Sequence, residues 1–236
     1  EDSDLHWNLG IVFSEAYRPR RLAQARKAFK RAVALSPGNL RAWHSGCRTT
    51  FELGDHRAAV RWCGRAWALI QQRNATSGGG GGDGGGGSRR SRSSDGSNRE
   101  NLDKFGLLSP GEAAVGTGMG GGSENGSDEE ADPQMAVFVL QIRAASLQSL
   151  EQYDQSAEAY RDSLAVDGVD RIVEGDIQAW SGLGTVLVAV GRRTEALASY
   201  ERALELDKTH PGLLVNMANL RLEIVNGRAA GSTVAT

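Results

Sequence analysis

Small and apolar residues recur at a fixed spacing in the C-terminal part of the chain, and this spacing predicts pairs of antiparallel helices. The pattern W-x2-L-G-x6-G-x4-A-x3-Y-x2-A is formed by Trp180, Leu183, Gly184, Gly191, Ala196, Tyr200 and Ala203. Positions three and four residues apart lie on one helical face, and the central glycine marks the turn between two helices. We expect Gly184 and Ala196 to let these helices approach closely, while Trp180 and Tyr200 fill the space between the hairpin and its neighbours.

The same pattern recurs in weaker form on both sides of this copy. One copy spans residues 40–73, another precedes it, and a third begins near Val137 with Glu151 in place of the turn glycine. After the strong copy one more helix is expected over residues 211–225, ended by the asparagine and glycine at 226–227. Each copy buries its apolar stripe only by stacking on its neighbours. The sequence therefore predicts four helical hairpins and a capping helix.

Residues 74–133 have a different composition, with glycine runs, an arginine- and serine-rich tract and an acidic end. Such a composition cannot bury enough apolar surface to offset the entropy of ordering, so it predicts a disordered insert. Because the insert falls on a repeat boundary, we expect it to loop out while the flanking repeats stack. Ser93, Ser109 and Ser127 lie in contexts that kinases phosphorylate. The expected units are two repeats in 1–73, the insert in 74–133, two repeats and the capping helix in 134–225, and a flexible tail in 226–236.

These motifs resemble the tetratricopeptide repeat (TPR) family, whose members bind other proteins. The resemblance implies an all-α solenoid of antiparallel helix hairpins wound into a right-handed superhelix, here interrupted by the long Gly/Ser-rich insert. In that family the first helix of each repeat lines a concave groove. Carried over to the matching positions, the peptide-binding groove residues are Trp7, Asn8, Arg41, His44, Arg48, Phe138, Gln141, Asn216 and Asn219.

The second repeat concentrates nitrogen donors on one face of the groove. Arg41, His44 and Arg48 lie at positions i, i+3 and i+7, so they share one helical face. Donors that converge on a groove favour an acidic or carboxylate-bearing peptide through charge-assisted hydrogen bonds, with Trp7 and Phe138 as apolar contacts. A solvated helix face without a ligand is the alternative interpretation.

Other binding functions find less support in the sequence. Family members that bind Hsp70 or Hsp90 clamp a carboxylate with lysine, arginine and asparagine, but Ser45 and Phe138 stand at two of these positions, so clamp binding is not expected. Sugar-transferring members carry an asparagine ladder, of which Asn8 and Asn216 are matched here. The alternative function is therefore the substrate-recognition arm of a larger enzyme, such as a protein O-glycosyltransferase, with its catalytic domain outside this chain. The basic run at 18–31 lacks interleaved aromatic residues, so nucleic-acid binding is not expected.

No nucleophile–base pair, metal cage or phosphate cradle is visible, so we expect no enzyme activity, cofactor, metal site or small-molecule substrate. His44, Cys47, His56 and Cys63 lack the short paired spacings of zinc sites. The two cysteines suit a reducing compartment and two small buried positions, and no apolar run is long enough to cross a membrane. The chain has a formal charge of −2. Together these features predict a cytoplasmic, or else nuclear, scaffold that binds a protein or peptide.

Overall fold

The computed structural model describes residues 2–16, 20–77, 132–166 and 173–232, and within these ranges the regular structure is helical. The helices are α1 (Ser3–Ile11), α2 (Leu22–Leu35), α3 (Leu40–Glu52), α4 (His56–Ser77), α5 (Pro133–Ser149), α6 (Tyr153–Leu164), α7 (Val173–Ala189), α8 (Arg193–Leu206) and α9 (Pro211–Ser232). A short π-helix, Val12–Ala16, continues α1. The predicted all-α fold is confirmed.

The helices pair as consecutive hairpins. Helix α1 packs on α2, α3 on α4, α5 on α6 and α7 on α8, while α9 packs on α8. Each hairpin also contacts the next, through α2 and α3, α4 and α5, and α6 and α7. Buried side chains of successive hairpins join shared apolar clusters, as a stacked repeat array requires. The predicted solenoid of helix hairpins is therefore confirmed.

Glycines in the first helix of a hairpin give space to aromatic rings of the second helix. A Cβ atom built on Gly184 would lie 2.6 Å from Tyr200, and one built on Gly10 would lie 2.3 Å from Phe29. At Gly46 the same construction comes within 2.2 Å of the Trp62 ring. Because any side chain would overlap these rings, the close approach predicted from the sequence is a steric requirement of the hairpins.

Three hairpin turns share one backbone conformation with a left-handed residue at its centre. Gly54 and Gly191 have φ angles of 73° and 82°, and Glu151 has a φ of 60° at the matching place. Beyond each of them, an amide donates back to a carbonyl five residues earlier, as in the bond of 2.9 Å from Gln152 N to Leu147 O. This is the Schellman arrangement that ends helices, and glycine adopts it at the lowest cost. Glu151 thus occupies a glycine position, as the repeat register predicts.

The two repeat pairs stack directly on each other. Cys63, Ala66 and Ile70 of α4 belong to one apolar cluster with Ala136 and Val139 of α5. This packing agrees with the expectation that the flanking repeats stack. Residues 78–131 lie outside the described residues. The disorder predicted for this segment and the predicted phosphorylation sites Ser93, Ser109 and Ser127 therefore stay predictions.

One predicted helix end is wrong, and one predicted repeat boundary lies inside a helix. Helix α4 continues to Ser77, past the predicted boundary at residue 73. Helix α9 continues to Ser232, through the asparagine and glycine at 226–227 that were expected to stop it and into the segment predicted as a flexible tail. A glycine inside a helix costs only about 1 kcal/mol relative to alanine, so an asparagine–glycine pair does not by itself end a helix.

Cys47 and Cys63 form a disulfide, which corrects the prediction that they are two unpaired thiols. Their Sγ atoms are 2.04 Å apart and their Cα atoms 5.0 Å apart, and both residues are fully buried. The repeat places Cys47 on the inner face of α3 directly opposite Cys63 on α4, within the range that a disulfide spans. The bridge therefore joins the two helices of the second hairpin. The prediction of a cytoplasmic location rested on free thiols, so it loses that support.

Candidate functional site

A cleft of about 800 Å³ opens on the side of the solenoid formed by the first helices of the hairpins. We call it the central cleft, and its main contributors are α3, α5 and α7. The residues that line it include His44, Arg48, Phe51 and Glu52 of α3, Met135, Phe138, Gln141, Ile142 and Ala145 of α5 with the preceding Asp132, and Asp176, Gln178 and Ala179 of α7. The surface that the family resemblance assigned to ligand binding thus contains a preformed concavity.

The structure brings only part of the predicted groove set together. His44, Arg48, Phe138 and Gln141 line the central cleft. The remaining predicted residues lie outside its lining, toward one end or the other of the solenoid, and are Trp7, Asn8, Arg41, Asn216 and Asn219.

The Trp7 side chain contacts the second repeat of the same chain. Its indole Nε1 donates a hydrogen bond of 3.1 Å to Ser45 Oγ, and the ring packs against a small cluster formed by α2 and α3. The guanidinium carbon of Arg41 lies 5.8 Å from the centre of this ring, at the distance of a cation–π contact. Trp7, Ser45 and Arg41 therefore connect α1 to α3.

Arg48 lies in the cleft between two carboxylates. It forms an ion pair with Glu15 of the π-helix segment and approaches Glu52, one turn further along α3, at 3.9 Å. A ligand carboxylate would have to compete with both of these groups for the guanidinium. To act as the predicted anion anchor, Arg48 would have to exchange these partners for the ligand, and that role stays a prediction.

His44 is an uncharged member of the cleft. Its ring lies 5.0 Å from the Phe138 ring, at an interplanar angle of 54°. Burial and, to a lesser extent, the Arg48 guanidinium lower the pKa of the His44 imidazole to about 4, against a smaller opposing influence of Asp132. The imidazole is thus neutral at neutral pH, so as an anion anchor beside Arg41 and Arg48 it would act through a neutral N–H group, and that role stays a prediction.

The lowered pKa of His44 predicts a specific pH dependence of stability. The unfolded chain takes up a proton on this imidazole below about pH 6.5, whereas the folded protein resists until about pH 4. The contribution is therefore complete above about pH 6.5 and is lost as the pH falls toward 4, by an amount on the order of 3 kcal/mol. We expect His44→Gln to remove this component. The measurement is the free energy of urea unfolding for both proteins across this pH range. A difference between wild type and variant that does not change with pH would contradict the prediction.

Carboxylates outnumber cationic groups among the described residues that line the central cleft. Glu52, Asp132 and Asp176 carry the acidic groups, and Arg48 is the cationic one. Glu52 also pairs with Arg20 at 3.3 Å. The rim is therefore acidic, around a floor that is mainly apolar.

Asp132 and Asp176 are functional candidates that the groove positions of the repeat did not contain. Asp132 precedes Pro133 and accepts a hydrogen bond of 2.9 Å from the backbone amide of Gln134, which makes it the N-cap of α5. An aspartate directly before a helix-starting proline is a recognisable N-cap signal, so this position could have been found from the sequence. Asp176 precedes the strong repeat copy and had no comparable signal.

Gln141 links two of the helices that form the cleft. Its side-chain amide donates a hydrogen bond of 3.1 Å to the carbonyl oxygen of Gly175 in α7. Gln178, one turn further along α7, is exposed at the cleft. Of these two amides, Gln141 holds the shape of the site, whereas Gln178 faces a prospective ligand.

Comparisons with known proteins agree with this architecture. The family model for the tetratricopeptide repeat matches residues 177–210, which include most of α7 and all of α8. A search of the curated proteins finds no match. None of the described helices combines the length and the apolar character needed to cross a membrane.

Solved structures of TPR proteins share the fold at low sequence identity. The pilF protein of Pseudomonas aeruginosa superposes with a TM-score of 0.53 at 12% identity, covering 95% of this chain and 69% of that one. YrrB, described as a TPR protein, gives 0.56 at 13% identity over 95% and 79%. MamA of RS-1 gives 0.54 at 10% identity over 98% and 89%. The repeat model that matches residues 177–210, the stacked hairpins and these neighbours in fold together support the resemblance to the tetratricopeptide-repeat family: the chain contains a repeat of this type and has the fold of TPR proteins.

Proposed function

We propose that this protein is an interaction scaffold that binds an extended segment of a protein partner in the central cleft. The observation that carries the proposal is the cleft itself, which is preformed, mainly apolar at its floor and large enough for several side chains. The neighbour YrrB is described as having an unusual peptide-binding site, so peptide binding occurs on this fold. The proposal concerns binding alone, since it is argued from the shape and the apolar floor of the cleft, and it assigns no catalytic role.

The proposal is tested by placing a photo-crosslinking amino acid at Gln178, which is exposed at the cleft. The matched control carries the same amino acid at Lys27, on α2 and outside the cleft lining. We expect a protein from the native extract to be crosslinked from position 178 and not from position 27.

A blocking variant makes this test specific for the cleft. Ala145→Trp would place a large side chain in the cleft from α5, where Ala145 is only partly buried. We expect it to abolish crosslinking from position 178 while the circular dichroism spectrum remains helical. Equal crosslinking from both probe positions, or crosslinking that survives the blocking variant, would contradict the proposal.

The cellular location belongs to the same proposal. A scaffold in the cytoplasm or nucleus would keep Cys47 and Cys63 reduced, whereas their disulfide suits an oxidising compartment. Because both cysteines are fully buried, thiol labelling in denaturant without reductant, on protein taken directly from cells, separates these cases. Labelled cysteines would support the predicted cytoplasmic location, and protected cysteines would contradict it.

A further inference from the structure

We infer that the central cleft selects a partner segment in which an apolar side chain is flanked by lysine or arginine. This inference rests on the proposed function and specifies the chemistry of its ligand. It reverses the polarity that the sequence predicts, since Arg41, His44 and Arg48 favoured an acidic partner.

The first argument is the sign of the charge around the cleft. Glu52 lies at the end of α3, Asp132 caps α5 and Asp176 lies near the start of α7, so carboxylates come from each helix that forms the cleft. Arg48 is the one cationic group among the described lining residues, and Glu15 and Arg20, which join through the ion pairs described above, add one charge of each sign. A cationic ligand gains attraction from this rim, whereas an anionic ligand meets like charges.

The second argument is the state of the groups that were expected to hold an anion. Arg48 is already paired with Glu15, and binding a ligand carboxylate would break that pair. Arg41 lies outside the cleft lining, over the Trp7 ring. The His44 ring contacts Phe138 and is uncharged at neutral pH. The anion site that an acidic peptide needs is therefore not assembled.

The third argument is the floor of the cleft, which fits an apolar anchor. Met135, Phe138, Ile142 and Ala145 of α5 line it, and Phe138 and Met135 remain partly exposed. Aromatic rings and flexible methionine side chains adapt to apolar ligands of different shape. A segment with a leucine or phenylalanine on this floor would place its flanking residues near the acidic rim.

The test compares two short dye-labelled peptides that differ only in charge. Both carry leucine and phenylalanine at the centre, with lysines on both sides in one peptide and glutamates in the other. We expect the lysine peptide to bind the full-length protein at least about ten-fold more tightly, with an affinity that falls as salt is added. Tighter binding of the glutamate peptide at the cleft would overturn the inference.

A variant pair assigns this preference to the cleft carboxylates. Asp132→Asn retains the capping oxygen of α5 while removing its charge, and Asp176→Asn is equally isosteric. We expect the double variant to reduce the preference for the lysine peptide several-fold. The matched control, Asp154→Asn on the exposed start of α6, should leave it unchanged. Equal preference in the double variant and the wild type would overturn the inference.

The blocking variant Ala145→Trp separates failure of the inference from failure of the proposed function. If it blocks the glutamate peptide and that peptide binds more tightly, the cleft binds peptides but its assigned chemistry is wrong. If Ala145→Trp blocks the binding of neither peptide, the cleft is not the binding surface and the proposed function fails as well. Light scattering adds a further outcome, because a dimer that Ala145→Trp dissociates would identify a second copy of this chain as the occupant and overturn the inference.

Discussion

Replacing Gly46 with alanine should destabilise the protein by about 3 kcal/mol, an effect at the upper end for so small a change. The added Cβ would lie 2.2 Å from Cε3 and Cζ3 of Trp62, far inside van der Waals contact. The indole cannot move aside easily, because it packs between two apolar clusters and its ring centre lies 4.9 Å from that of Trp43. The free energy of urea unfolding measures the loss.

Two comparisons keep this prediction specific to the contact. A Cβ atom added to Gly38 would meet no other atom within 4 Å, so Gly38→Ala should change stability by no more than about 0.5 kcal/mol. In a Trp62→Leu background the ring is gone, and the additional loss from Gly46→Ala should become small. If Gly46→Ala costs the same with and without the Trp62 ring, the overlap is not the cause.

Reducing the disulfide between Cys47 and Cys63 should lower the free energy of unfolding by a similar amount, about 3 kcal/mol. The bridge closes a loop with a sequence separation of 16, and a loop of this size restricts the unfolded chain by roughly that free energy. Because both cysteines are fully buried, the protein must be unfolded and refolded in reductant before the comparison. Urea unfolding with and without reductant measures the difference.

The double variant Cys47→Ala/Cys63→Ala provides the control for this prediction. We expect it to unfold close to the reduced wild type and to be insensitive to reductant, with a small further loss from the sulfur atoms missing in the core. Intact mass after alkylation in denaturant under non-reducing conditions establishes whether the bridge is present. Alkylation of both cysteines in the protein as isolated, or a stability that reductant does not change, would contradict the prediction.

The repeat framework was predictable because the spacing of small and apolar residues encodes helix contacts locally. Gly184 and Tyr200 meet across a hairpin, and the left-handed position of Glu151 follows from the register of the turn glycines. The disulfide was predictable from the same spacing. Cys47 and Cys63 stand at the separation that joins Gly184 to Tyr200, so the framework already placed them opposite each other.

The chemistry of the cleft was not predictable in the same way, because it depends on groups that the repeat does not fix. Glu15, which pairs with Arg48, belongs to the π-helix extension of α1 and lies outside the repeat pattern. The neutral state of His44 depends on burial against Phe138, a residue on the far side of the 74–133 insert. The spacing of the repeat residues thus predicted where the groove lies. The charge of the groove could be determined only from the contacts in the folded structure.

The central cleft draws its walls from the second, third and fourth hairpins, and this has a consequence for how the solenoid unfolds. Stacked repeats interact mainly with their nearest neighbours, so the array behaves as a row of coupled units that can open from its ends. A ligand that touches α3, α5 and α7 together adds a coupling beyond nearest neighbours and stabilises only the state in which all three hairpins are formed. Occupancy would thereby convert stepwise opening of the repeats into a single cooperative transition.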